Sequence, residues 1–178
     1  MCSLRLPEAV FGPGGEAAMR SAVDDVAERS FFVMADACDD ARFDEMAASH
    51  ANWLTAVVRF DEGSCVGEVS CTLPASLAAS LFGAFSGRDP DDPAPGTDEL
   101  VDLVGELANM VCGSWLTRAA NHQTFTLCAP KVTSWSGGWA CAPAAERGLT
   151  LSIDELPFVI GVRVDVISDP SAATPSLA

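Results

Sequence analysis

The chain of 178 residues has little positive charge: 10 Lys and Arg stand against 25 Asp and Glu, a formal net charge of -15. A surface so acidic repels phosphate at long range, which argues against nucleic acid and anionic membrane as partners and favours other proteins. Histidine is scarce, with only His50 and His122, far apart and outside any metal-type pattern. The seven cysteines, Cys2, Cys38, Cys65, Cys71, Cys112, Cys128 and Cys141, contain no Cys-x-x-Cys pair. Neither a disulfide framework nor a zinc site is therefore expected, and reduced thiols buried as small apolar side chains fit a cytosolic chain. No apolar run approaches the ~20 residues needed to cross a bilayer, and MCSLRLPEAVFGPGGE is too weakly apolar for a leader. These absences point to a cytoplasmic protein. What is present is 49% hydrophobic and 20% charged, which excludes disorder and fits one domain with a substantial core.

The stretch TDELVDLVGELANMVCGSWLTR, Thr97 to Arg118, carries the clearest pattern. Apolar residues at Leu100, Leu103, Val104, Leu107, Val111 and Trp115 have the spacing of one buried helical face. Thr97 is placed to cap the first turn, where Asp98 and Glu99 put negative charge against the helix dipole. Turning about 100° per residue, the helix gathers Asp102, Glu106, Asn109 and Gly113 into a narrow polar stripe opposite the apolar face. Gly105 and Gly113 lie at its margin. A glycine inside a helix costs about 1 kcal/mol relative to alanine, so their presence beside a carboxylate and an amide suggests a surface that something large approaches closely. A solvated outer face with incidental glycines is the competing reading from pattern alone.

Around this helix the chain reads as follows. Residues 1–15, with Pro7, Pro13, Gly14 and Gly15, form an irregular lead-in to a domain spanning 16–167. A helix is expected from Glu16 to Ala37, with Met19, Val23, Val26, Ala27, Phe31 and Met34 inward. It repeats the Asp24 and Glu28 spacing but has Phe31 where the later helix has Asn109, and a phenyl ring cannot orient water by hydrogen bonding. Alternation over Trp53–Phe60 and Cys65–Leu73, joined through Asp61, Glu62 and Gly63, predicts an antiparallel hairpin. Pro74 starts a helix with Leu77, Leu81, Phe82 and Phe85 inward, which Gly87 closes. The stretch RDPDDPAPG reads as an exposed acidic connector. A strand over Thr124–Ala129 is stopped by Pro130. Residues 131–147 read as a loop in which Trp135 and Trp139, flanking Gly137 and Gly138, either pack beneath it or form a recognition surface. Leu149–Leu156 and Phe158–Ile167 read as strands divided by Pro157, and residues 168–178 as a disordered polar tail. About three substantial helices and five or six strands result. This order predicts an α+β domain, an antiparallel sheet with helices packed on one face. The similar endings VSCTLP and FTLCAP hint at two related halves.

The segment GELANMVCGSW followed by TFTLCAPKV resembles the signature of the CheX and CheC family of chemotaxis phosphatases. That signature has Asp or Ser, three residues, Glu, two residues, Asn, and a later Pro. Asp102, Glu106 and Asn109 occupy the first three positions and Pro130 the fourth, slightly earlier than the family spacing. The likeness is specific over residues 98–132 and looser from Trp53 to Ser86. It implies a CheC/CheX-like fold with pseudo-two-fold halves, and the CheX branch, which keeps one working Glu-Asn helix. It also implies a hydrolase that removes the aspartyl phosphate of a CheY-like response regulator in chemotaxis or related two-component signalling. Asn109 would then orient the attacking water and Glu106 would pair with a lysine of the partner. Asp102 and Pro130 would aid docking, and Gly105 and Gly113 would admit the partner's loops. Magnesium would come with the response regulator, so no metal or cofactor of this chain's own is expected. Homodimerisation is implied too, with long exposed strands near the C-terminus as a possible edge. An adaptor on the same helix would instead bind a receiver domain or flagellar switch component without chemistry. It would need Glu106 but not Asn109.

Overall fold

The computed structural model describes residues 14–89, 91–120, 122–139 and 148–167. In chain order its elements are α1 (Gly15–Phe31), β1 (Ala35–Ala37), α2 (Asp40–Ala47), β2 (Asn52–Asp61), β3 (Cys65–Pro74), α3 (Ala75–Ser86) and α4 (Thr97–Ala119). Then come β4 (Thr126–Leu127), β5 (Lys131–Ser136), β6 (Leu149–Ile153) and β7 (Leu156–Val166).

The strands form one antiparallel sheet in the order β1-β6-β7-β3-β2, and β4 and β5 both pair with the outer side of β2. The expected halves are visible in this order. β3 and β7 meet at the centre, each as the inner strand of a hairpin, β2 with β3 and β6 with β7. The strand after α1 pairs with the second hairpin, and the six-residue strand after α4 pairs with the first. Each half thus lends a strand to the other's hairpin, so neither half can complete its sheet alone.

Alternation along the strands separates two faces. One face carries Leu54, Ala56, Val58, Phe60, Val69, Cys71, Leu73, Leu151, Ile153, Phe158 and Ile160, all buried. The helices α1, α3 and α4 cover it, bringing Met19, Val23, Leu77, Leu81, Val104, Val111 and Trp115 into the same core. Each large apolar side chain buried there contributes about 1.5–3 kcal/mol. The short α2 is an addition on the reverse face, where Phe43 and Ala47 pack with Cys38, Trp53 and Val159. Trp135 stacks on Trp53 with ring centres 5.6 Å apart, and Trp139 lies 5.1 Å from Trp53 and 5.0 Å from Phe43. The two tryptophans therefore pack as a satellite core.

Several elements differ from the sequence reading. The first helix ends at Phe31, because Phe32 turns to left-handed φ 58° and Val33 N–H closes on the Ala27 carbonyl at 3.1 Å. Residues Ala35–Ala37 are therefore strand, and Met34, expected inside, is exposed. Phe85, also expected inside, is about half exposed. The eight-residue α2 was missed because it buries only Phe43 and Ala47, too few to show a period; Asp39 caps it, accepting from Arg42 N–H at 2.8 Å. Gly96, not Thr97, is the cap of α4, with the Glu99 carboxylate accepting from Gly96 N–H at 2.8 Å. The strand expected over Thr124–Ala129 shrinks to two residues, while Lys131–Ser136, read as loop, is a strand.

The final hairpin turns at Asp154 and Glu155, with φ of 50° and 61°, and Pro157 lies inside β7. The ladder tolerates that proline. A two-residue turn makes Ile153 and Leu156 the hydrogen-bonded pair, so β6 asks no N–H of Pro157 opposite Ser152. On the other side β3 pairs only as far as Thr72 with Val159. Among the described residues there are four helices and seven strands. Among the described residues the outer strands are β1, β4 and β5, and of the C-terminal strands β7 is paired on both sides only as far as Ile160, Gly161–Val166 pairing with β3 alone. The lead-in before residue 14 and the tail after residue 167 lie outside the described residues.

Candidate functional site

The long helix α4 crosses the sheet beneath it and is flanked by α1 and α3. Its inward residues Leu103, Val104, Leu107, Ala108, Val111, Cys112, Trp115 and Leu116 are buried, which fixes its rotation. Trp115 adds a hydrogen bond from its indole N–H to the Gly15 carbonyl at 3.0 Å. At its start Arg88 donates to Glu99 at 2.6 Å and lies over the Phe82 ring at 4.9 Å, tying the acidic connector and α3 to the first turn.

With the rotation fixed, the polar stripe faces out. Asp102 and Glu106 are exposed, and Asn109 and Gly113 are half-buried. Residues three or four apart on a helix have Cβ atoms about 5–6 Å from one another, so Glu106 and Asn109 can reach into one small pocket together. Among the described residues, Asp102, Glu106 and Asn109 have no side-chain hydrogen-bond or ion-pair partner. Their polar ends are thus available to water or to another molecule.

Pro130 joins this site through Gly105. A Cβ at Gly105 would lie 3.2 Å from Pro130 Cγ and 3.4 Å from Val132 Cγ2. The space left by the missing side chain is therefore filled by the chain's own loop and strand, which corrects the expectation that Gly105 admits a partner. Gly113 has nothing within 4 Å of such a Cβ and remains open. On the opposite flank, Ser30 Oγ donates to Met110 Sδ at 3.6 Å, setting the end of α1 against the stripe. The stripe thus runs between Pro130 and the end of α1. Sequence reasoning missed Val132 and Met110 as its borders. Val132 was hidden because its strand is short and polar, and Met110 because an unbranched apolar residue beside a polar stripe reads as ordinary core.

Other chemistry is remote from this face. Burial pushes the Cys112 thiol up to about 12. Cys71 is also raised, first by burial and then by the neighbouring Cys112. Cys38 and Cys65 are raised by burial, with nearby carboxylates adding to it. These thiols are poor nucleophiles. Among the described residues no group of three His, Cys, Asp or Glu side chains could hold a metal ion, and no helix is long and apolar enough to cross a membrane. His50 lies 3.4 Å from Ser76 Oγ, away from α4. A cavity of about 290 Å³ is lined by residues of β2, β3 and β7 with Cys128, and by none from α4. There Glu68 neutralises Arg59 at 2.8 Å and Arg163 at 3.0 Å.

Comparison with known proteins bears on this arrangement. Residues 54–153 match the family described as chemotaxis phosphatase CheX. The fold is similar to that of the chemotaxis protein CheX from Vibrio vulnificus, with 16% identity, 85% of this chain and 96% of that chain covered, and a TM-score of 0.63. It is equally similar to a chemotaxis protein CheX from Desulfovibrio desulfuricans, with 17% identity, 85% and 99% covered, and a TM-score of 0.63. A third likeness is to the CheX–CheY–BeF3–Mg complex from Borrelia burgdorferi, with 12% identity, 83% and 96% covered, and a TM-score of 0.54. At these identities the structural likenesses establish the fold. No curated protein sequence matches the chain.

Proposed function

The chain belongs to the CheX family of chemotaxis phosphatases, and on that premise we propose that it hydrolyses the aspartyl phosphate of a CheY-like receiver domain by inserting the α4 stripe into the partner's phosphorylated pocket. The observation that carries this reading is the placement of Glu106 and Asn109 one turn apart, solvent-accessible and without side-chain partners among the described residues. The Borrelia relative, whose structure holds CheX with CheY, BeF3 and Mg, supports the class of partner.

An aspartyl phosphate is a mixed anhydride and already reactive, so the catalyst need only place a water in line with phosphorus and steady the developing charge. The Asn109 amide suits this task, since it donates to and accepts from one water without acting as a base. Water attacks phosphorus, the bond to the aspartyl oxygen breaks, and inorganic phosphate and free aspartate result. Glu106 pairs with a lysine of the receiver domain, and Asp102, a turn further back, adds to docking. Gly113 leaves room for close approach. In this reading the magnesium belongs to the receiver domain; the Borrelia relative's structure holds Mg together with CheX and CheY. The protein works in the cytoplasm, as a homodimer.

The test is decay of a phosphorylated CheY-type receiver domain with and without the purified chain. Decay should accelerate with the parent, and Glu106→Lys should need far more protein for the same effect, through repulsion of the partner's lysine. Binding without any acceleration would replace the enzyme with an adaptor that uses the same helix.

A further inference from the structure

We propose that the exposed tip following α1, formed by Phe32 and Met34 together with Phe85 of α3, is a second docking contact for the same receiver domain; this rests on the phosphatase reading above. The tip combines two features that fold stability does not explain. Phe32 closes α1 in the left-handed region at φ 58°, where a bulky side chain is disfavoured, whereas α3 fills the same position with Gly87 at φ 64°. Nor is the strain offset by burial. Phe32 is 79% exposed and Met34 78%, and Phe85, whose ring meets that of Phe31, is 49% exposed. An unfavourable backbone state holding an aromatic ring in water is the kind of local conflict found at functional surfaces.

The tip is also held rigidly. Val33, between the two exposed residues, packs on the core and donates to the Ala27 carbonyl at 3.1 Å. Arg20 reaches back to donate to the Ala35 carbonyl and pairs with Asp24 at 3.0 Å. An apolar contact fixed in this way loses little freedom when a partner covers it.

Continuity with the stripe fixes what that partner is. The Phe31 ring meets the Phe85 ring at 5.5 Å, and Ser30 contacts Met110 at 3.6 Å. Met110 follows Asn109 directly and lies one turn beyond Glu106. Half-buried Ser30 and Met110 thus lie between the stripe and Phe32, which puts an apolar anchor at the border of a polar centre. A second copy is a poorer occupant, because it would bring two acidic stripes of a chain with net charge -15 towards each other.

The test uses the full chain with Phe32→Gly, Met34→Gln and the double variant. Glycine is at ease in the left-handed region, so Phe32→Gly should keep or raise Tm. The probe is a CheY-type receiver domain, phosphorylated with acetyl phosphate for turnover and loaded with beryllofluoride for binding. The double variant should raise KM and Kd about tenfold, the scale of losing an interface anchor, with kcat changed far less. Parent-like KM and Kd would overturn the docking role while leaving the phosphatase intact. A lowered Tm at constant KM would place a segment of the chain's own on the tip, and a shift from dimer to monomer would place a second copy there; both contradict the proposal. A parent that neither binds nor dephosphorylates the receiver domain removes the phosphatase reading, and this contact with it.

Discussion

The helices α1 and α4 hold equivalent places in the two halves, each running ahead of a strand that crosses to the other half's hairpin. They share a carboxylate spacing, Asp24 and Glu28 in one and Asp102 and Glu106 in the other, all but buried nowhere: each of the four is exposed. They part at the third position. Asn109 sits mid-helix in α4, half-buried beside an open Gly113, whereas Phe31 is the last residue of α1 and is buried, its ring against Phe85. Two carboxylates one turn apart are thus a common surface pattern. On the proposed function, what distinguishes the site is an amide at the next turn, at an angle that leaves it accessible. In α1 that angle points into the fold, and packing has taken the position.

The strongest way to break this comparison is to give α1 the missing amide. Phe31→Asn restores the residue pattern of α4 but replaces a buried ring with a polar group. It should cost about 3–5 kcal/mol, the range for removing a large buried side chain, as read by urea denaturation. It should supply no turnover to a chain carrying Asn109→Ala. A loss below 1 kcal/mol, or recovered turnover, would mean that α1 can present a site after all.

A smaller effect sharpens the same contrast at Gly113. Nothing lies within 4 Å of a Cβ there, so Gly113→Ala should raise stability by up to about 1 kcal/mol through helix propensity. The same methyl should weaken binding of a beryllofluoride-loaded receiver domain, because the partner must approach the helix closely. Unchanged affinity would take Gly113 out of the interface. Gly105 teaches the converse lesson: its missing side chain makes room for Pro130 and Val132, so two glycines on one helix serve different neighbours.

How far the fold was legible follows from how strongly each element is patterned. The helix over Thr97–Arg118 was read almost to its ends because its apolar period runs from Leu100 to Trp115, about four turns, and the hairpin of β2 and β3 because both strands alternate around Gly63. The closure of α3 at Gly87 was equally plain, since glycine at a helix end is a local signal. Signals failed where tertiary contacts outweighed local chemistry. Phe32 ends α1 without a glycine or proline to announce it, and β5 has only Val132 and Trp135 as apolar residues, one on each face, too few to show an alternation. Pro157 misled because its place in the ladder depends on the register of two neighbours. For the site, the outward stripe of Asp102, Glu106, Asn109 and Gly113 was legible from helical geometry. The packing of Pro130 on Gly105 was not, because it joins residues far apart in the chain.

The most direct measurement is the decay rate of a phosphorylated CheY-type receiver domain in the presence of Asn109→Ala, set beside its binding to the beryllofluoride-loaded domain. If Asn109 positions the attacking water, the variant should leave decay at the unstimulated rate while still forming the complex. Decay as fast as with the parent chain would contradict the account.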